Sequence, residues 1–208
     1  MEFPIEFATG LDGAEGIALL PDGRLVAGGS AGEIVAIDAA GAVSPIANVG
    51  DRLAGLTTTH DGQVLALGFD TGNVWKINPM SGAAAIFATG VAGPNVAVET
   101  RSGRILVSAS LAGTIVEVTS GTPVVVGSGY VFPDGLAIGG DRRLYVAELG
   151  ASRISRAKLP RTGPLGTPEI YASGLPVADG IGFDRLGNLF VVGADTLKVV
   201  ERRGRAVR

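Results

Sequence analysis

The sequence is poor in the residues that build many catalytic and metal centres. Its 208 residues contain no cysteine and a single histidine, His60. The lack of cysteine excludes disulfides and thiolate metal ligands, and one isolated histidine gives no support to a Ser-His-Asp triad. Only 18% of the residues are charged, and the net charge is −3. The chain therefore has no basic surface of the kind that binds nucleic acid.

Long apolar segments are also missing. No uninterrupted apolar run reaches the roughly 18 residues of a membrane span. The N-terminal segment MEFPIEFATG has neither the basic start nor the long apolar centre of a signal peptide. We therefore expect a cytoplasmic protein with no membrane partner and no nucleic-acid partner. The sequence leaves the oligomeric state open.

Glycine is abundant, with 33 residues, and it punctuates five copies of one pattern: an apolar strand, a turn and a second apolar strand. The leading residues of the copies lie 39, 41, 39 and 45 positions apart, and a turn residue follows eight positions after each of them. The leading residues are Glu15, Ala54, Asn95, Asp134 and Asp179, and the turn residues are Gly23, Gly62, Gly103, Arg142 and Gly187. A repeat of about 40–50 residues built of short strands is typical of a β-propeller.

Each copy continues with a third and a fourth short strand, as in IVAID followed by VSPIAN. Connections this short join antiparallel neighbours, so each copy predicts a four-stranded meander. The fold class that we predict is all-β, a single β-propeller domain over residues 1–208 with almost no helix. The repeats indicate either five blades or a six-bladed propeller that lacks its last blade.

The N-terminal tetrapeptide Phe7-Ala8-Thr9-Gly10 matches Phe87-Ala88-Thr89-Gly90, which ends a fourth strand. The chain thus begins with a fourth strand that has no blade before it, and we expect residues 4–8 to pair with the last blade and close the ring. The segment Gly204–Val207 is similar to the start of the last repeat's own fourth strand. The insertion RTGPLG, residues 161–166, is expected to form an exposed loop.

The leading residues are the candidate functional site. In a propeller the first strand of each blade lines the central channel, so Glu15, Asn95, Asp134 and Asp179 are expected to converge at one mouth of it. Carboxylate and amide oxygens are the ligands that Ca²⁺ prefers, and Ala54 interrupts the set in the second repeat. The alternative is that these residues only stabilise turns, because Asp and Asn before glycine accept local backbone hydrogen bonds.

Two further residues are candidates for binding a substrate at the same mouth. Glu148 follows a second strand, which ends where the first strands begin, and could serve as an auxiliary acid. Arg52 precedes the second repeat and could bind an anionic group. A plain surface role is the alternative for both.

The phrases EGIALLPDGRL, PDGLAIGGDRRLYVAE and ADGIGFDRLGNLFVV resemble the gluconolactonase family, which includes senescence marker protein and luciferin-regenerating-enzyme-like proteins. The related strictosidine synthase-like propellers are similar at SRISR. The resemblance covers residues 11–200. It implies one divalent cation at the channel mouth, with Glu15 and Asp179 matching the family's Glu and Asp ligands and Asp134 standing where the family usually has Asn. Asn95 matches a further Asn that contacts metal or substrate, although Val96-Ala97 replaces the Asp-Gly that follows it there.

Two functions follow as hypotheses. The first is a divalent-cation-dependent hydrolase, most simply with Ca²⁺, that acts on a small lactone or ester and uses Asp179 as the general base. The second is a non-catalytic propeller that serves as a binding scaffold or is a degenerate member of the family. Cation content discriminates between them, because a scaffold needs no cation on the axis.

Overall fold

In a computed structural model, which describes residues 6–11, 13–119, 121–193, 196–200 and 206–207, the chain forms a five-bladed β-propeller. Each blade is a four-stranded antiparallel sheet in which consecutive strands are neighbours. The only helical elements among these residues are two single 3₁₀ turns, at Ser110–Ala112 and Leu149–Ala151. No helix in the described part of the chain is long and apolar enough to cross a membrane. The predicted fold class and the five blades are confirmed.

The strands run from the axis outward in chain order. Blade 1 contains β1 (Gly16–Leu19), β2 (Leu25–Gly28), β3 (Glu33–Ile37) and β4 (Val43–Asn48). Blade 2 contains β5 (Leu53–Thr58), β6 (Val64–Gly68), β7 (Asn73–Ile77) and β8 (Ala84–Ala88). Blade 3 contains β9 (Pro94–Glu99), β10 (Ile105–Ala109), β11 (Thr114–Val118) and β12 (Val124–Ser128). Blade 4 contains β13 (Pro133–Ile138), β14 (Arg143–Glu148), β15 (Arg153–Lys158) and β16 (Glu169–Ser173), and blade 5 contains β17 (Ile181–Phe183), β18 (Leu189–Gly193), β19 (Thr196–Val200) and β20 (Ala206–Val207).

The turn between the first and second strands of each blade requires a left-handed backbone conformation. Gly23, Gly62, Gly103 and Gly187 all have φ between 76° and 91°. Arg142, which occupies the same position in blade 4, has φ of 61° although it is not glycine. Its conformation is one that residues with a Cβ rarely adopt. The alignment of Arg142 with the turn glycines in the sequence was therefore structurally correct.

The core is divided among the junctions between consecutive blades. Four clusters of buried apolar side chains join blades 1 and 2, blades 2 and 3, blades 3 and 4, and blades 4 and 5. The second junction, for example, packs Leu67 and Val74 of blade 2 against Val107 and Val116 of blade 3. Among the described residues no such cluster joins blade 5 to blade 1. In the described part of the chain, the five blades are thus joined by four packed junctions.

The predicted closure by the N-terminal segment is wrong for residues 6–8, which belong to no strand. The fourth place in the last sheet is taken by β20, which pairs with β19 through Val199 with Val207 and Val200 with Ala206. This pairing confirms, for residues 206 and 207, the prediction that the end of the last repeat forms the fourth strand of its own blade. Residues 1–5 and 201–205, on which the rest of both predictions falls, lie outside the described residues.

The insertion at residues 161–166 has an exposed outer part but is anchored to blade 3. The side chain of Arg104 is buried, forms an ion pair with Glu117 at 2.8 Å, and donates to the carbonyls of Pro160 and Gly163, both at 2.7 Å. The backbone N–H of Leu165 also donates to the carbonyl of Val126 at 2.7 Å. The insertion is therefore a strap across the outer edges of blades 3 and 4 and not a free loop.

We expect Arg104→Met to lower the free energy of unfolding by about 2–4 kcal/mol, because it leaves Glu117 and two backbone carbonyls without their charged donor. Urea denaturation monitored by circular dichroism measures the loss. Arg143→Met is the matched control, since Arg143 pairs with Glu169 on the surface and exposed ion pairs contribute about 0–1 kcal/mol. Equal losses in the two variants would contradict the assignment of Arg104 as the anchor.

Candidate functional site

A cavity of about 510 Å³ lies on the axis and is lined by residues from the first strands of all five blades. Gly16, Gly55, Val96, Gly135 and Gly180 are its backbone wall, one from each blade. Each of them directly follows a leading residue of the repeat pattern. The first strands therefore surround the channel as predicted, and the leading residues lie at one end of it. A cavity of this size accommodates a small organic molecule.

Three of the four predicted polar residues line this cavity directly: Glu15, Asn95 and Asp179. They come from blades 1, 3 and 5, so the fold brings together residues that are far apart in the sequence. The fourth residue, Asp134 on β13, is almost fully buried, with 4% of its surface exposed. Its neighbours Gly135 and Leu136 line the cavity, which places Asp134 in the wall.

Asp134 has the most unusual environment of the four. Burial, and after it the negative charges of Asp179 and Glu15, raise the pKa of Asp134 from 3.8 to about 7. Its Oδ1 atom is buried and has no hydrogen-bond partner. A buried carboxylate oxygen without a partner is costly, because it has lost water and gained no donor. This atom identifies the place where a cation or a polar ligand would be stabilised.

Asp179 is held by its backbone and leaves its side chain open to the cavity. Its N–H donates to the carbonyl of Val192 at 3.0 Å, and its carbonyl accepts from the N–H of Gly135 at 3.1 Å. The second bond connects blades 4 and 5 beside Asp134. The cavity walls around the carboxyl remove part of its water and raise the pKa of Asp179. A carboxyl with a raised pKa is better matched to proton transfer near neutral pH.

Glu15 and Arg52 lie together on the open side of the mouth. Arg52 Nη1 is 4.0 Å from Glu15 Oε1. Arg52 Nε and Nη2 each donate to one oxygen of Asp70 at 2.9 Å, and the guanidinium stacks on the ring of Phe69, 4.7 Å from its centre. The hydrogen bonds from Arg52 lower the pKa of Asp70. Arg52 is thus at the predicted mouth, but its guanidinium is oriented by Asp70 and Phe69.

Asp70 and Phe69 were not predicted as site residues from the sequence. They are the first two residues after β6, the second strand of blade 2. Second strands end at the mouth in every blade, so the position of Phe69 and Asp70 after β6 is the signal in the sequence that points to them.

Glu148 does not line the cavity and has no exposed surface. Burial by itself would raise the pKa of Glu148, but hydrogen bonds from Arg153, from Ser155 and from the N–H of Val131 lower it. Arg153 donates to Oε1 at 2.9 Å and to Oε2 at 2.8 Å, and Val131 donates to Oε2 at 2.7 Å. Both oxygens therefore already have structural partners.

Within the described ranges, no three Asp, Glu, His or Cys side chains lie close enough together to form a ready-made metal-binding group. The single histidine is remote from the mouth: His60 lies at the opposite end of the first strands and its Nδ1 is 3.3 Å from Glu99 Oε1. Any cation at the mouth would therefore depend on the buried carboxylate of Asp134, the more exposed carboxylate of Asp179 and the amide of Asn95, with Glu15 beside Arg52 as a further ligand.

No family model matches the chain, and no curated protein matches it in sequence. The fold is similar to that of a gluconolactonase from Xanthomonas campestris, with a TM-score of 0.79 and 20% identity over 93% of this chain and 74% of that one. It is similar to regucalcin, a calcium-binding protein from Agrobacterium tumefaciens, with a TM-score of 0.77 and 16% identity over 94% of this chain and 72% of that one. Virginiamycin B lyase from Staphylococcus aureus gives a TM-score of 0.75 and 17% identity, over 94% and 69% of the respective chains.

These similarities establish the propeller fold, and they include proteins of the family that the sequence resembles. A gluconolactonase and a lyase share the fold, so the fold alone does not select a reaction. The chain spans 69–74% of the length of these three neighbours.

Proposed function

We propose that the mouth of the channel binds a divalent cation, most simply Ca²⁺, and that the protein hydrolyses a small lactone or ester there. The observation that supports this proposal best is the buried Oδ1 of Asp134, which has no partner and lies in the electrostatic field of Asp179 and Glu15. Without a cation, the negative charges of Asp134, Asp179 and Glu15 repel one another. A bound cation would remove this repulsion, because the same carboxylates would then serve as its ligands.

The donor set fits a hard cation. Asp134 and Asp179 would supply carboxylate oxygens, Asn95 an amide oxygen and Glu15 a further carboxylate after a change of rotamer. All are oxygen donors, the ligand type that Ca²⁺ takes, whereas the absence of cysteine and of a nearby histidine disfavours Zn²⁺. A bound cation would polarise the carbonyl of a substrate and stabilise the oxyanion that develops on hydrolysis.

The residues of the chain would contribute the remaining chemistry. Asp179 would accept the proton of a water molecule as that water attacks the carbonyl carbon. Arg52 would attract a carboxylate or another anionic group of the substrate at the open side of the mouth. The apolar wall that includes Leu56, Val96 and Leu136 would hold the carbon skeleton of the substrate.

We expect the purified protein to bind Ca²⁺ and expect Asp134→Asn to weaken that binding about 10-fold, because one charged ligand becomes neutral. Isothermal titration at pH 8 measures both affinities. Asp184→Asn makes the same chemical change in the exposed turn at the other end of blade 5 and is the control, with no expected effect. A protein that binds no divalent cation would contradict the proposal.

We expect Asp179→Asn to lower the turnover of a sugar δ-lactone by about 100-fold, because the amide retains an oxygen donor but cannot accept a proton. A pH-stat assay at saturating Ca²⁺ measures turnover, and a parallel calcium titration separates loss of the base from loss of the cation. Activity that survives both this substitution and a chelator would show that the chemistry lies elsewhere.

A non-catalytic scaffold is the second candidate function. It is favoured by the lack of a ready-made three-ligand group within the described residues and by the position of Glu15, whose side chain is 58% exposed and lies toward Arg52. The calcium titration decides between the two, because the scaffold requires no cation at the mouth.

A further inference from the structure

As far as the structure describes them, blades 5 and 1 lack the close contact between first strands that is seen at other junctions. A Cβ added to Gly16 of blade 1, Gly55 of blade 2 or Gly135 of blade 4 would clash with the backbone of the first strand in the following blade. Gly180 occupies the same position in blade 5. A Cβ added there would meet only Val192, at 3.9 Å and in its own blade. Among the residues that the structure describes, β17 therefore has no neighbouring first strand on the side away from blade 4.

The blade 1 side of this opening exposes an apolar residue whose equivalents are buried. Ile17 lies two positions after the leading residue Glu15, and 61% of it is exposed. The residues at the same position in blades 2 and 4, Leu56 and Leu136, are only 6% and 4% exposed because they pack on the preceding blade. The exposure of Ile17 therefore indicates that the surface on which a preceding blade would pack is uncovered.

The blade 5 side of the opening is apolar too. Val192 on β18 is 48% exposed, while its equivalent in blade 2, Leu67, is fully buried against blade 3. Leu197 on β19 is 60% exposed. Val192 and Phe190 also line the axial cavity, where no second-strand residue of another blade appears. The two sides together form an open wedge, defined by Ile17 and Leu19 of blade 1 and by Phe190, Val192 and Leu197 of blade 5.

The N-terminal segment shows what belongs in this wedge. In blades 1 to 3 the fourth strand contains one bulged residue. The carbonyl of this residue contacts the next blade, at the turn or insertion between its third and fourth strands. Phe7 places its carbonyl against Gly41, the corresponding turn of blade 1. Residues around Phe7 thus occupy the fourth-strand position of a blade that precedes blade 1. The corresponding pairs are Ile46 with Gly82, Phe87 with Gly121 and Val126 with Leu165.

We propose that the wedge is the acceptor site for a three-stranded antiparallel β-meander that is not among these 208 residues and that uses the segment around Phe7 as its fourth strand. Each face of the meander would carry apolar residues at alternate positions, because it would replace the two missing blade contacts. The completed blade would also add a sixth first strand to the wall of the axial cavity. This inference does not depend on the catalytic proposal.

The test uses thiol labelling, for which the cysteine-free chain is well suited. Ile17→Cys and Val192→Cys probe the wedge, and Leu111→Cys, which is exposed on blade 3, is the control. Each is made in the 208-residue chain and in an extended chain in which a copy of residues 53–80 precedes Met1. That copy supplies the three inner strands of blade 2, whose fourth strand ends in the same Phe-Ala-Thr-Gly tetrapeptide as the N-terminal segment.

We expect maleimide to label both wedge thiols rapidly in the 208-residue chain and at least about 10-fold more slowly in the extended chain, with an unchanged rate at Leu111→Cys. Equal wedge rates in the two chains would overturn the proposal. Protection in the 208-residue chain that grows with protein concentration, together with a doubled mass, would also overturn it, because a second copy would then be the occupant.

A second measurement does not need the extended chain to fold. Ile17→Lys in the 208-residue chain is expected to leave Tm unchanged within about 2 °C, because the side chain is in water. Leu56→Lys, at the equivalent buried position, is expected to abolish folding. A loss of Tm for Ile17→Lys as severe as that for Leu56→Lys would show that the wedge is already closed, and would overturn the proposal.

Discussion

Replacing Asp134 with asparagine is expected to stabilise the calcium-free protein at pH 8 by up to about 4 kcal/mol. The carboxyl is buried in the wall of the cavity, and its pKa is raised to about 7 by burial and by Asp179 and Glu15. At pH 8 the folded protein must hold it as an anion in this place, whereas the unfolded chain holds the same anion in water. Asparagine has nearly the same shape and carries no charge, so the penalty disappears.

The dependence on pH has a definite sign. Between about pH 4 and pH 7 the folded protein keeps the proton of Asp134 and the unfolded chain does not, so the free energy of unfolding falls as the pH rises through this window. Below the window both states are protonated, and above it both are ionised. The stability of Asp134→Asn lacks this contribution, and the advantage of the variant therefore grows from pH 4 to pH 7 and then stays constant.

Urea denaturation at pH 5, 6, 7 and 8 in the presence of a chelator measures the effect. Asp184→Asn is again the control, because hydrogen bonds from Asn188 lower the pKa of Asp184 and its titration lies below this window. Added Ca²⁺ should narrow or reverse the difference at pH 8, since a ligand that binds only the folded state stabilises the protein that binds it more tightly. Parallel stability curves for the unchanged protein and Asp134→Asn would contradict the environment described for Asp134.

The repeat register could be predicted from the sequence because turns and strand alternation are local. The spacing of the turn residues identified all five blades and placed Arg142 at the turn of blade 4, where its backbone is left-handed in the structure. The leading residues followed from the same register. Glu15, Asn95 and Asp179 line one cavity because identical positions in successive blades must converge on the axis.

The differences among equivalent positions could not be predicted, since they depend on which blade packs beside each residue. Asp134 and Asp179 are the same residue type in the same register, yet only Asp134 has an oxygen that is buried without a partner. Ile17 and Leu56 are equivalent apolar residues, and Ile17 is exposed because, within the described ranges, no blade packs on that side of blade 1. The packing partner is a property of the whole ring and is absent from any single repeat.

Glu148→Ala is expected to lower the free energy of unfolding by about 3–5 kcal/mol, the loss typical of removing one partner from a buried ion pair. Arg153, Ser155 and the N–H of Val131 would lose their acceptor together. Because its partners lower the pKa of Glu148, its contribution to stability is present above the ordinary glutamate pKa and is lost as the pH falls through the lowered one. The variant should therefore differ from the unchanged protein at pH 7 and much less in strong acid.

Glu169→Ala is the matched control, because Glu169 is also bound by two arginines, Arg143 at 2.6 Å and Arg156 at 2.8 Å, but its side chain is half exposed. Exposed pairs of this kind contribute about 0–1 kcal/mol each. Urea denaturation of both variants at pH 7, with lactone turnover measured on whatever protein remains folded, separates a structural role from a substrate-binding one. If Glu148→Ala loses no more unfolding free energy than Glu169→Ala but raises the KM for the lactone, Glu148 has a substrate-binding role. If stability collapses while the folded fraction keeps its KM, the carboxylate holds blade 4 together, as its three donors indicate.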